Sequence, residues 1–187
     1  MTHDKYFNYL LRRSQIGSMY RRYYLYPRLD RRLQGQALDV GCGIGDMLAF
    51  RPKTVGVDIN PRTVEHCRSL GLQATMMQGD RLPFDATSFD SVLLDNVLEH
   101  IAEPVPLLAE IQRVLRPGGR LLVGVPGACG WDSDPDHKVY YGERELIKCV
   151  SAAGFVAREI FHTPLGQSLW LNSHMRQYCI YGAFERL

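Results

Sequence analysis

The stretch LDVGCGIGD, residues 38–46, sets Gly41, Gly43 and Gly45 at every second position directly behind a short apolar run. Glycines in a strand-loop-helix turn let the backbone bend tightly and approach a ligand, while the N–H groups that open the following helix stay free to bind it. A dinucleotide loop reads G-x-G-x-x-G, and counting from Gly41 the sixth position is Asp46, so that pattern fails. A triphosphate loop carries Lys and then Ser or Thr behind its glycines, and no Lys follows here. What remains is another nucleoside-bearing ligand, or none.

Carboxylates recur at matching places further along. Asp58 ends the run KTVGVD, where a carboxylate can accept both hydroxyls of a ribose. Dehydrogenases use the same device, so Asp58 points to a ribose and not to one cofactor. Asp80, in QGDRLPF, is either a ligand contact or a turn residue after Gly79. Asp95 and Asn96, in LLDNVLEHI, fall at the end of another apolar run, and ligands of open α/β folds bind at such strand ends. Two histidines could move a proton. His137, flanked by Asp134 and Asp136, is the first candidate for a general base, the alternative being a solvent-facing loop residue; His100 is either a second base or a packed, capping side chain.

The elements that must position these residues are legible from Ala37 onward, where short β-like runs alternate with helix-like runs in the pattern of a parallel sheet covered by helices. The runs predict strands near 37–40, 53–58, 72–77, 89–95 and 119–125. Residues 61–70 open on Pro61 and stop at Gly71, a helix start and stop pair. Val105, Leu108, Ile111 and Leu115 form a second helical stripe over 104–115, with RPGG as its stop. A Gly, Pro and Asp-rich loop, PGACGWDSDPDH, precedes a helix in GERELIKCVSAAG, and the tail predicts two strands, FVAREIFH and MRQYCIYGAFE, around a turn-prone TPLGQSLWLNS. Only MLAFRPK separates the glycine loop from the second strand. The first helix is therefore two turns or less, which predicts thin cover on one sheet face and an apolar patch there that would suit dimerisation.

Four stretches, LDVGCGIG, VGVDIN, GDRLPFDATSFDSVLLDNVLEHI and LRPGGRLLVGVP, occur in one order over residues 37–126, and with them the chain resembles the class I S-adenosylmethionine-dependent methyltransferases of the type 11 group. The resemblance is looser over 137–184. It implies a Rossmann-like three-layer α/β sandwich with a mostly parallel seven-stranded sheet and an antiparallel last strand. It also implies S-adenosyl-L-methionine as cofactor and S-adenosyl-L-homocysteine as product. On that likeness Gly41, Cys42, Gly43 and Gly45 form the cofactor loop, Asp39 orients it and approaches the cofactor's amino group, and Asp58 takes the ribose. Asp80 would accept from the adenine amine, Ile59 with Arg81 or Leu82 would flank the ring, and Asp95 and Asn96 would border the methionine part. Carboxylates so placed suit a cationic sulfonium and would repel a pyrophosphate.

At 187 residues, with 45% hydrophobic and 22% charged residues, the composition is that of an ordinary globular chain. Residues 1–34 hold eight Lys or Arg against Asp4 and Asp30, while the remainder carries 14 basic and 18 acidic residues. We therefore divide the chain into an N-terminal helical arm or lid (1–34) and a cofactor-binding domain (35–187). Tyr20, Tyr23 and Tyr24 of the arm, with Trp131, Tyr140 and Tyr141, are candidates to line the acceptor pocket; Arg12, Arg13, Arg21 and Arg22 could hold an anionic group. The expected partner is a small, anionic or sugar-containing acceptor methylated on oxygen or nitrogen. RNA is disfavoured because the body is acidic, and a non-catalytic binding scaffold is the remaining alternative. Five scattered cysteines without a C-x-x-C pair indicate neither a disulfide framework nor a zinc site. The lack of an apolar run of about 20 residues, or of a cleavable leader, predicts a cytoplasmic monomer or homodimer with no transmembrane segment.

Overall fold

Short apolar runs, most of them punctuated by glycine, proline or aspartate, build the centre of the molecule. The computed structural model describes residues 3–187, so the first two residues of the arm lie outside the described residues. The chain begins with α1 (His3–Leu11), α2 (Gln15–Tyr20), a π-helical turn (Arg21–Leu25) and α3 (Tyr26–Asp30). Next come β1 (Ala37–Val40), α4 (Asp46–Phe50), β2 (Thr54–Asp58), α5 (Pro61–Ser69) and β3 (Ala74–Met76). The second half runs β4 (Phe89–Asp95), a 3-10 turn (Leu98–His100), α6 (Val105–Val114), β5 (Leu115–Pro126), α7 (Ala128–Trp131) and α8 (Glu143–Ala152). It closes with β6 (Phe155–Thr163), α9 (Leu169–His174) and β7 (Cys179–Arg186).

All seven strands form one sheet in the order β3-β2-β1-β4-β5-β7-β6. Only β7 runs against its neighbours, pairing antiparallel with both β5 and β6. This is the architecture expected from the sequence. The order turns back between β1 and β4, where Ala37, Leu38 and Asp39 pair with Ser91, Val92 and Leu93. At such a reversal the connections leave the sheet on opposite sides, and a crevice opens beyond the strand ends.

Alternation along the strands sends side chains to two faces. Val92 and Leu94 of β4, Leu121 and Val123 of β5, and Phe184 of β7 join Leu108, Ile111, Leu146 and Val150 of α6 and α8 on one face. Leu93, Leu122 and Tyr181 point the other way, onto Leu25, Tyr26, Leu29, Leu33 and Met47. Helix α4 is indeed short, yet this face is not thinly covered as expected, because α3 and the turn before it pack on it beside Met47. The basic arm thus carries a buried apolar stripe, and Pro27, in the first turn of α3, marks the point where the helix restarts after the π-helical turn.

Two other expectations are corrected. RPGG does not simply stop α6; β5 begins at Leu115 directly after Val114 and runs through those residues, with a bulge between its pairing to Phe89 and to Ser91. Burial of Leu115 fixes this, since the helix cannot continue past Pro117 and the chain must stay in the core. The turn-prone segment before the last strand contains α9, capped by the Ser168 hydroxyl, which accepts from Leu171 N. No helix of the described residues is long and apolar enough to cross a membrane.

Because Leu29 is fully buried among core residues of both β4 and β5, Leu29→Ala is expected to cost about 2–5 kcal/mol and to lower the whole unfolding transition. Chemical denaturation followed by two probes checks this; a loss confined to arm signals, with the sheet transition unmoved, would show that the arm folds separately.

Candidate functional site

The crevice beyond β1 and β4 is a cavity of about 820 Å³, walled by the glycine loop, the ends of β1, β4 and β7, the arm, and the segment around α7. That size lies toward the upper end for small-molecule sites. Gly41, Gly43 and Gly45 all have positive φ. At Gly41 the requirement is double, since φ is +77° and an added Cβ would lie 2.5 Å from Val97 Cγ2. Gly45 is the N-cap of α4, and the loop is pinned from behind, Gly41 N and Cys42 N donating to the Val57 carbonyl and Gly45 N to that of Cys42.

Three carboxylates stand at adjoining strand ends: Asp39, Asp58 and Asp95, the first two 5% exposed. Asp58 accepts from Gly43 N at 2.9 Å through one oxygen and from Asn60 N at 2.8 Å through the other. Asp95 Oδ1 accepts from Tyr181 Oη at 2.8 Å and from Asn96 Nδ2 at 2.9 Å. Gly124 makes the first of these possible, because a Cβ there would fall 2.3 Å from the Tyr181 ring and 2.7 Å from Asp95 Oδ1. Burial raises all three carboxyls above their usual range, and for Asp39 the charges of Asp95 and Asp58 push further the same way. Arg13 and Arg21 approach from the arm, and Arg13 Nη1 reaches Asp46 Oδ2 at 3.2 Å.

The opposite wall is built where the 3-10 turn meets the loop after α7. The Glu99 carbonyl accepts from Lys138 N at 2.7 Å and Val139 N at 3.1 Å, which brings His137 against the turn. Its Nε2 lies 3.9 Å from Glu99 Oε1, its ring is 4.7 Å from that of His100, and Trp131 stacks on its other side at 5.0 Å. Glu99 is 1% exposed and burial pushes its carboxyl up to about 8. His100 is held below the usual imidazole range by burial and by His137.

Of the residues expected from sequence, the fold brings Asp39, Gly41, Cys42, Gly43, Asp95 and Asn96 to the cavity wall, together with His100, His137, Tyr20, Arg12, Arg13 and Arg21. Asp58 sits behind the loop, under α1: half-buried Tyr6 approaches it, Leu10 covers Gly43, and Asn60 Nδ2 donates to the His3 carbonyl. Ile59 is exposed, and Asp80, Arg81 and Leu82 line a different, shallower depression. Tyr24, Trp131 and Tyr140 do not line the cavity, contrary to expectation: Tyr24 stacks on Tyr20, while Trp131 and Tyr140 pack edge to face and support His137 from behind. Arg22 stays outside as well. Sequence reasoning missed Glu99, although it adjoins His100 in LLDNVLEHI, and Tyr181 and Arg176, which lie too far along the chain for spacing to reveal.

Residues 38–123 match a family model described as "Methyltransferase domain". A relative from Mycolicibacterium smegmatis, a "probable S-adenosylmethionine-dependent methyltransferase", is 31% identical over 83% of this chain and 63% of its own length. An uncharacterized 37.1 kDa protein of a Streptomyces fradiae transposon is 42% identical over 56% of this chain and 33% of its own. The chain thus spans less than two thirds of either relative. Among solved structures, a Thermotoga maritima "SAM-dependent methyltransferase, possible histamine N-methyltransferase" superimposes with a TM-score of 0.75 at 18% identity, covering 100% of both chains. One from Methanosarcina mazei gives 0.67 at 20% identity over 88% of this chain and 99% of that one. At such identities the structures speak to the fold alone.

A raised carboxyl favours the fold only while it is protonated, so its contribution is present below the ordinary carboxylate range and fades as pH rises through the raised value. Asp39→Asn is therefore expected to raise thermal stability of the ligand-free protein at neutral pH, with the gain shrinking as pH falls toward about 4. Melting curves of both proteins across that range check it; a gain that persists undiminished in acid would assign the effect to packing instead.

Proposed function

With residues 38–123 carrying a class I S-adenosylmethionine-dependent methyltransferase domain of the type 11 group, we propose that the chain transfers a methyl group to the oxygen or nitrogen of a small acceptor bearing an anionic group or sugar. The observation that supports it best is the meeting, on one cavity, of a carboxylate-rich glycine-loop wall with a wall holding Glu99, His100 and His137. The first wall fits the cofactor by charge: Asp39 and Asp95, both raised by burial and Asp39 further by the charge of Asp95, are relieved by a ligand that brings an ammonium and a sulfonium. The loop from Gly41 to Gly43 would hold its methionine part, and Asp58 its ribose, with α1 the segment that must yield for the adenosine part to reach Asp58. When bound, the cofactor supplies an electrophilic methyl on a positively charged sulfur.

The chain's own contribution is to align, to exclude water and to take a proton. Helices α1 and α2 roof the cavity with Tyr6, Leu10 and Tyr20, while Arg12, Arg13, Arg21 and Arg176 ring it with positive charge suited to an acceptor's phosphate or carboxylate. His137 Nδ1 lies 2.8 Å from the Trp131 carbonyl. A carbonyl only accepts, so the hydrogen bond assigns the proton to Nδ1 and leaves Nε2 able to receive the proton of an acceptor hydroxyl.

His137→Ala is expected to lower turnover about 10²- to 10⁴-fold for a hydroxyl acceptor while leaving cofactor affinity unchanged. Incubation of purified protein with methyl-labelled cofactor and a metabolite extract finds the acceptor; the variant is then assayed on it, and unchanged turnover removes the base role. Affinity for the acceptor should fall only mildly as salt rises, whereas a steep fall would point to RNA.

A further inference from the structure

Glu99, His100 and His137 each offer one ligand-type atom, and these atoms all lie within 4.8 Å of one another. Both carboxylate oxygens of Glu99 are without a hydrogen-bond partner among the described residues, although the side chain is almost wholly buried. A carboxylate in that position is costly unless a cation stands against it. The 3.9 Å between Glu99 Oε1 and His137 Nε2 is too long for a hydrogen bond and close to the spacing of two ligands sharing one ion, about 3.4 Å for bonds of about 2.1 Å in a tetrahedron.

The histidines are oriented as ligands are. His137 Nδ1 faces the Trp131 carbonyl at 2.8 Å, and His100 Nδ1 lies 3.4 Å from the Asp136 carbonyl. Both contacts assign the ring proton to Nδ1 and leave Nε2 as a bare lone pair. A second nitrogen tied to a backbone carbonyl is the usual support of a metal-bound imidazole, fixing both tautomer and ring direction.

We propose that Glu99, His100 and His137 hold one divalent transition-metal ion, with its remaining coordination positions open to the cavity. Two imidazoles and one carboxylate suit zinc or another first-row ion; magnesium and calcium prefer all-oxygen surroundings. The site needs a contraction of about 1 Å to reach bonding geometry. Its role, unlike its existence, rests on the methyl-transfer reading: an ion there would take an acceptor hydroxyl in an open position and lower its pKa, the proton passing to solvent. His137 would then serve as ligand, and as base only in the metal-free protein.

The test uses tag-free, full-length chain stripped with a chelator, reloaded with Zn²⁺, desalted and measured for metal by mass spectrometry, with Co²⁺ titrated in parallel by visible absorption. The expected result is about one equivalent of zinc per chain and a saturable cobalt spectrum of nitrogen-ligated type. Glu99→Gln and His137→Gln should each weaken zinc at least about tenfold, with cofactor affinity unchanged. A wild-type chain that retains no stoichiometric zinc and gives no such cobalt spectrum overturns the proposal, as does zinc binding that survives both substitutions. Should either variant unfold, the wild-type cobalt spectrum decides alone. Because none of these readouts needs methyl transfer, failure of the metal site and failure of the methyltransferase reading are distinguishable: zinc without cofactor binding retains the site and removes its role, and cofactor binding without zinc does the reverse.

Discussion

Placing Asp39, Asp58 and Asp95 together at the ends of β1, β2 and β4 is the constraint around which the molecule is organised. Carboxylates that close, and that buried, repel one another and lose their hydration, so each must be compensated by a neighbour. Asp58 is compensated by backbone: the loop bends with positive φ so that Gly43 N can reach it, and Asn60 N closes the other oxygen. Asp95 is compensated by Tyr181, whose hydroxyl arrives because β7 runs antiparallel beside β5 and Gly124 leaves room for the ring. Asp39 lines the cavity beside Asp95, and the charges of Asp95 and Asp58 push its carboxyl further in the direction that burial does. A buried carboxylate beside two others lowers the stability of the empty protein and favours a cationic ligand, so a single feature serves both energetics and specificity.

The arm follows from a second economy. With α4 only five residues long, the face of the sheet carrying Leu93 and Leu122 would lie open, and Leu25, Tyr26, Leu29 and Leu33 close it. The same segment continues upstream as α2 and α1, which cross the glycine loop and dock on α5 through Asn60 and the Phe7–His66 pair. Cover for the core and roof for the site are therefore one continuous piece of chain. The buried residues of α3 anchor one end of that piece.

The central strands were legible because each is an unbroken apolar run with glycine, proline or aspartate nearby, and the crevice followed from their order. The glycine loop and its carboxylates were legible for the same reason: strand ends are fixed by hydrogen bonding, so residue spacing reports position. Legibility failed where position depends on tertiary contact. Helix α9 escaped notice because it is six residues long and turns Leu169 and Trp170 to solvent, leaving no periodic apolar face to read. The start of β5 was misplaced because RPGG carries a stop signal, and only the burial of Leu115 shows that the strand has already begun. Asp80, read as either a ligand contact or a turn residue, lies on a depression apart from the cavity, since three residues of β3 do not determine the path of the loop beyond it.

The site divides along the same line. Its cofactor wall is made of strand ends and a loop pinned by backbone hydrogen bonds, and such a wall varies little in shape with side-chain identity. Its other wall joins residues nearly forty positions apart, Glu99 with His100 on one side and His137 on the other, through the Glu99 carbonyl and two amides of the loop after α7. The sequence presents the second group as a loop histidine among aspartates and the first as the end of a strand motif, with nothing to say that they touch. Trp131, expected as a pocket residue, instead stacks on His137, and its carbonyl lies 2.8 Å from the Nδ1 of that ring. The second wall is thus assembled by the long loop after α7 while the arm roofs the cavity, so substitutions in either leave the strand-end carboxylates in place.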